Sequence, residues 1–258
     1  FFNMNQSQLK KISINCSNKI IAKGIFLEPY KHLVVDNFLP IDLAEKCLSN
    51  FPTVNDSIWE HEHDNDIEVK SRTTWTSEFD IPDNIIDAVK ILNGAHLLRA
   101  FSEIFNIQKL LPDAYYAGGG LNIMQKGGLL GVHVDGNYHD ASGLNRRLNV
   151  LLYLNPKWNK DWGGELSLYD RSGKKIIKKI APIFNRLVVF DTNDYSFHGI
   201  PAPLNFPLDE SRKSIILYYY TKESRPANQS ITEKPHSALW VKRSLKDKRG
   251  NSLRIKYE

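Results

Sequence analysis

Two cysteines in 258 residues are too few for a disulfide framework, and Cys16 and Cys47 lack metal-knuckle spacing. That scarcity points to a reducing, cytoplasmic setting. Long apolar runs are missing as well. The longest, such as Val150–Leu154 and Ile215–Tyr220, fall far short of the roughly 20 residues that cross a bilayer. Phe1–Lys11 has no basic-then-apolar leader pattern, and Phe1–Asn3, which precede the first methionine, are set aside. There is no internal repeat and no low-complexity stretch. Disulfide-scaffold, helical-membrane and repeat classes are thereby excluded.

What is present suits a globular chain: 41% hydrophobic and 24% charged, long enough to bury a substantial core. The net charge is +5, and it is unevenly placed. Residues 240–258 hold seven basic side chains against two acidic ones, so the rest of the chain is neutral. A basic tail can contact a polyanion. The blander expectation is a solvated extension, or an apolar side (Leu239, Trp240, Val241, Leu245) docked on the core.

The first half reads mainly as helices. His32–Asn37 is a short β-branched strand. Helices are expected over Ile41–Phe51, Asp83–Leu92 and Ala95–Phe105, with Pro52 beyond the first and Gly94 between the other two. His61–Arg72, polar and charged, reads as a loop or mobile lid. From Ala117 the pattern changes to short strands: Gly119–Gln125, Leu130–Asp135, Arg147–Leu154, Glu165–Tyr169, Lys174–Ala181, Leu187–Phe190, Ser196–Pro201 and Lys213–Thr221. Gly, Asn and Pro turns separate them. The expected class is mainly β with flanking α-helices, a double-sheet jelly roll. Residues 1–115 would buttress a core at 116–222, and 223–258 would follow as the basic extension, all in one structural domain.

His133 and Asp135 carry the chemistry. Residues i and i+2 of a strand point the same way, so an imidazole and a carboxylate converge while Val134 faces away. His198 sits in a second strand-like run, followed by Gly199, where the chain can approach closely. Two imidazoles and one carboxylate are the ligand set of a non-haem Fe(II) oxygenase. The other histidines, His32, His61, His63, His96, His139 and His236, read as surface or structural residues. On the last strand both Arg212 and Lys213 are cations that a dicarboxylate could use.

The segments GVHVDGN (131–137), RRLNVLLYLNPKW (146–158), WGGELSLYD (162–170), NRLVVFDTNDYSFHGIP (185–201) and SRKSIILYYYT (211–221) resemble the core of Fe(II)- and 2-oxoglutarate-dependent oxygenases, the prolyl hydroxylase-like group. PYKHLVVDNFLP (29–40) resembles the start of that family's N-terminal region. The resemblance implies a double-stranded β-helix, a cupin-like barrel, holding Fe(II) through His133, Asp135 and His198. It implies 2-oxoglutarate as cosubstrate, O2, and ascorbate as a further candidate cofactor. It selects Arg212, six residues before the inward Tyr218, for the far carboxylate of 2-oxoglutarate, and Tyr153 as the hydroxyl meeting that carboxylate. Asn149 and Arg147 share the strand face of Tyr153 by period 2 and would line the pocket, with Leu166 walling it. His198 to Arg212 is longer than the family's usual spacing, which places extra residues in 203–211. The family's tyrosine on the strand before His133 is missing; Ile123 or Met124 falls there, leaving Asn122 or Gln125 to substitute.

The resemblance implies hydroxylation of a C–H bond, of a prolyl residue or related substrate, with release of succinate and CO2. Alternatives are a hydroxylase of a free amino acid, another small molecule or a surface glycan, or a non-catalytic jelly-roll binding protein. Substrate contacts are expected from loops 61–72, 136–145 and 155–162. Trp59, Trp75, Trp158 and Trp162 are candidates for an aromatic rim, or else ordinary packing.

Overall fold

The computed structural model describes residues 4–232, 234–248 and 250. Among these residues four α-helices and thirteen strands run in the order α1 (Gln6–Lys23), β1 (His32–Val35), α2 (Ile41–Ser49), β2 (Trp59–Asp64), β3 (Glu68–Thr73), α3 (Ile85–Leu92), α4 (Ala95–Phe105), β4 (Leu111–Pro112) and β5 (Gly120–Met124). They continue as β6 (Leu129–Val134), β7 (Asn145–Tyr153), β8 (Leu166–Tyr169), β9 (Ile176–Ile180), β10 (Arg186–Asp191), β11 (His198–Ile200), β12 (Arg212–Thr221) and β13 (Leu239–Trp240). The pairing order is β1-β10-β7-β12-β5-β3-β6-β11-β8-β9, all antiparallel. The curled sheet is the expected double-stranded β-helix. Among the described residues no helix is long and apolar enough to cross a membrane.

Alternation on β7 divides the interior in two. Leu148, Val150 and Leu152 join Leu187, Val189, Ile215 and Leu217 beneath the helices, in the main core. Leu151 and Tyr153 face inward with Leu166, Leu168, Val188 and Phe190. A helix layer thus seals one face of the sheet, and the opposite face is left to line a cavity.

Helix α1 has no counterpart in the sequence expectations. Its start is capped reciprocally: the Asn5 side chain accepts from the Gln8 N–H, and Gln8 Oε1 accepts from the Asn5 N–H. Leu9, Ser13, Cys16, Ser17 and Ile20 form its buried stripe. Two of those five positions are serines, which thins the hydrophobic period.

The expected lid over 61–72 is instead a β-hairpin built into the sheet. β3 pairs with β5 at Ser71 and Arg72, and with β6 at Glu68 and Val69. Its strands are held by charge rather than apolar alternation. Glu62 stands opposite Lys70 and Glu60 opposite Arg72, and Arg72 Nη2 lies 3.4 Å from Glu62.

The C-terminal segment is not a solvated extension. Leu239 and Trp240 are buried, and β13 pairs with β6. Leu245 packs partly beneath, whereas Val241 is exposed. The tail's cations turn inward onto the acidic hairpin: Lys248 pairs with Glu62 (2.7 Å) and Glu68, Arg243 with Asp64, and Lys242 with Asp66 (4.0 Å). Arg249, Arg254 and Lys256 lie outside the described residues.

Candidate active site

β6 and β11 are neighbours, with His133 directly opposite His198. Gly199 makes this approach possible. A Cβ there would sit 2.8 Å from the carbonyl oxygens of both Gly131 and Leu130. One potential ligand atom from each of His133, Asp135 and His198 lies within 4.8 Å of the other two, and all three residues are buried. The Nδ1 of His133 lies 2.9 Å from the Gly131 carbonyl, and that of His198 lies 2.9 Å from the Ser196 carbonyl. A carbonyl only accepts, so each Nδ1 carries the proton and each Nε2 keeps a free lone pair. Both Nε2 atoms face Asp135 Oδ1, at 3.5 and 3.8 Å.

Electrostatics favour the ligating forms. Burial, with His133 beside it, pushes His198 down to about 4, so its ring stays neutral. Burial pushes Asp135 up, but His198 and His133 outweigh it and hold the carboxyl well below its usual range. Asn149 Nδ2 donates to Asp135 Oδ2 at 3.0 Å and fixes the carboxylate plane. Sequence reasoning gave Asn149 to the cosubstrate; its amide nitrogen is turned to the carboxylate of the triad.

The same cavity, of about 680 Å³, reaches Arg212. Arg212 is 3% exposed. Its Nη2 donates to the Tyr153 hydroxyl (3.1 Å) and its Nε to the Gly164 carbonyl (2.8 Å). Gly164 has φ +84°, and a Cβ would meet Arg212 Cδ at 3.2 Å, so the close approach requires glycine. Burial pulls the Arg212 guanidinium below its ordinary value, and no ion pair among the described residues includes it. A buried cation without an anion is costly. A carboxylate delivered by a ligand answers that need. Lys213 does not line the cavity; its Nζ lies 3.5 Å from the Ser211 carbonyl.

Several expectations need correcting. Arg147 does not line the cavity; Arg146 does. The β7–β12 register shifts between Tyr219 and Tyr220, and this bulge reverses the side-chain phase ahead of Leu148. Of the four rim tryptophans none borders the cavity. Trp59 and Trp75 belong to the main core, and Trp158 and Trp162 pack beside Met124, Ile200, Leu204 and Phe206. The indole that does border it is Trp240, which sequence reasoning placed in the tail. Loop 155–162 contributes nothing to the lining, while Gly136, Tyr138 and Asp140 contribute from the loop after β6. Asn122 and Met124 face the cavity where the family's tyrosine is missing, and Gln125 is exposed. Leu166 lines it as expected. His139 and His236 are buried but bonded to Asp113 (3.0 Å) and Asp194 (3.2 Å), away from the triad.

Two imidazoles, one carboxylate and a buried guanidinium fit Fe(II) and a dicarboxylate cosubstrate. Comparison with known proteins agrees. Residues 119–220 match the model of the 2OG-Fe(II) oxygenase superfamily. The prolyl 3-hydroxylase OGFOD1 of Mus musculus is 38% identical over 86 residues, which is 32% of this chain and 15% of that protein. Its Xenopus laevis counterpart is 39% identical over 71 residues, 26% of this chain and 14% of that protein. The match thus spans a small part of these curated relatives. Among solved structures, a Pseudomonas putida prolyl-4-hydroxylase superposes with a TM-score of 0.56 at 14% identity, covering 82% of this chain and all of that one. A Trichoplax adhaerens prolyl hydroxylase in complex with a hypoxia inducible factor oxygen degradation domain peptide fragment gives 0.53 at 20% identity, covering 84% and 94%. Both structural likenesses concern the fold. The barrel of this chain is thus similar, over residues 119–220, to the domain of the 2OG-Fe(II) oxygenase superfamily.

Proposed function

We propose that the protein is an Fe(II)- and 2-oxoglutarate-dependent dioxygenase that hydroxylates a prolyl residue or a closely related substrate. The observation that carries this reading is the shared cavity: a His/Asp/His cluster at one place and, within reach of the same space, a buried Arg212 without an acid. His133, Asp135 and His198 would hold the metal, and Arg212 with Tyr153 the far carboxylate of the cosubstrate. When bound, Fe(II), 2-oxoglutarate and O2 supply the oxidative decarboxylation that releases succinate and CO2 and hydroxylates a C–H bond.

The protein's own part is geometry and exclusion of water. Asn149 keeps Asp135 oriented. The Gly131 and Ser196 carbonyls fix the tautomers of the two imidazoles. Burial keeps the Tyr153 hydroxyl protonated even beside Arg212, so it can donate to a carboxylate. Leu151, Leu166, Phe190 and Ile216 give the interior apolar walls.

The prolyl reading draws on the two curated relatives. The four tryptophans that were candidates for a rim around a proline ring or a sugar face lie outside the cavity lining, so they favour neither substrate. A reducing, cytoplasmic setting is part of the proposal, supported by Cys16 and Cys47, two free thiols buried in one core. The test is a screen of prolyl peptides, free amino acids and glycans for succinate release coupled to a one-oxygen product, with and without ascorbate. His133→Ala, Asp135→Ala and His198→Ala should each abolish both signals while circular dichroism stays native. Turnover surviving in any of the three would remove that residue from the ligand set.

A further inference from the structure

We propose that Trp240 is a positioning residue for the His133 imidazole, carried there by a strap that the chain clamps on both sides. The inference rests on the metal assignment above. Four rings form a column. Trp240 lies 4.5 Å from His133 at 28°, His133 lies 4.3 Å from His198 at 50°, and His198 lies 4.6 Å from Phe190 at 58°. Phe190 belongs to β10 and is rigid with the barrel. Trp240 comes from the last described segment of the chain.

The hydrogen bond from Nδ1 to Gly131 sets the tautomer of His133 but leaves the ring free to swing about that bond. A nearly parallel indole face at stacking distance removes the swing. Contacts behind a ligating histidine are known to set its orientation and metal affinity.

The strap is held to that task. Trp240 stands opposite His133 in the β13–β6 pair. Its main-chain N–H donates to the Lys246 carbonyl (3.2 Å), and its main-chain carbonyl accepts from the Leu245 N–H (2.9 Å). Upstream, fully buried Asp194 accepts from Arg225 Nη1 (2.9 Å) and the Ile231 N–H (2.7 Å), and lies 3.2 Å from His236 Nε2. Asn137, two residues after Asp135, accepts from the His236 N–H (2.8 Å) and donates to the Lys234 carbonyl (3.0 Å). Downstream, Lys248 and Arg243 grip the β2–β3 hairpin. The two grips bracket Trp240.

Co(II) alone, titrated into the purified protein and followed by its d–d absorption, is the probe. Trp240→Phe keeps a planar face and should bind within about threefold of the parent, whereas Trp240→Leu keeps apolar bulk but no face and should weaken binding at least about tenfold, with an altered band shape. In metal-free protein the His133 ring resonances should broaden in the Leu variant only. Equal affinity and an unchanged spectrum for Trp240→Leu would overturn the inference. Should that variant not fold, Arg243→Ser/Lys248→Ser loosens the strap with Trp240 in place; its Co(II) affinity should fall, and parental affinity would count against the proposal. Failure of the metal assignment looks different: the parent would take up no Co(II), or His133→Ala would not change its uptake.

Discussion

Tyr220 stands opposite Arg146 across β7 and β12, where an unbroken register would have placed Arg147. One extra residue therefore decides which arginine enters the cavity. The Arg146 guanidinium lies 3.9 Å from the centre of the Tyr218 ring, itself a lining residue. Arg147 turns away, near the carboxyl of Asp191, and its Nε is buried without a partner.

The two arginines should thus behave oppositely. Arg146→Leu removes a cation stacked on a cavity ring and should lower kcat/KM at least about tenfold in the succinate assay. Arg147→Leu should leave kcat/KM within about twofold, because it touches no cavity atom, and act only on the melting temperature. The reverse pattern would put the bulge in the wrong place.

Arg212 should govern cosubstrate affinity and Lys213 should not. Losing a charge-assisted bond costs about 2–3 kcal/mol, so Arg212→Ala should raise the apparent KM for 2-oxoglutarate tens-fold while Co(II) affinity changes little. Lys213→Ala should leave both within about twofold. A KM effect at Lys213 alone would shift β12 by one residue.

Gly199→Ala should separate the two imidazoles. The added methyl meets two backbone carbonyls of the β6 strand, which cannot rotate away as a side chain would. Overpacking of this kind costs about 1–3 kcal/mol, and here it also pushes His198 from His133. Metal affinity and melting temperature should fall together. An unchanged Co(II) titration would mean that β11 does not rest on β6 as described.

The strap's grip should be sensitive to acid. Burial pushes Glu68 up, but Lys70 and Lys248 outweigh it and lower its carboxyl from 4.5 to about 2. A depressed folded value gives stabilisation that is complete above the unfolded value of 4.5 and lost as pH falls toward about 2. Lys248, shared with Glu62, is 43% exposed, so solvent screening limits its part to about 1 kcal/mol or less. Urea unfolding of the parent and of Lys248→Ala should differ near neutrality and converge between pH 4.5 and 2. A gap that persists below this window would assign the effect to packing.

What the sequence disclosed was what strand alternation and the motif segments control. The shared face of His133 and Asp135 follows from period 2, whereas the choice of Arg212 over Lys213 and of Tyr153 rests on the resemblance of the motif segments; Arg212 lines the cavity and donates to Tyr153. Arg147 failed because a bulge breaks the period without leaving a mark in hydropathy. The β2–β3 hairpin was hidden because its strands are stabilised by cross-strand charges, which read as loop. The docking of the tail by its apolar side was legible, but the place of its cations was not: they look surplus until their partners, Glu62, Asp64 and Glu68, are seen on that hairpin. Trp240 sits in the short apolar run Leu239–Val241, and only the fold brings it to His133.

Among the described residues, strand β3 is the sole link in the pairing order between the half of the sheet that carries Arg212 and the half that carries His133 and His198. It works as a splint across the two halves of the barrel. A molecule pressing on the hairpin pushes, through one shared backbone, on β5 and on β6 at once. A displacement of the hairpin would therefore reach the Arg212 half and the His133 half together. A relay of side chains is unnecessary for the interior to register what the hairpin touches.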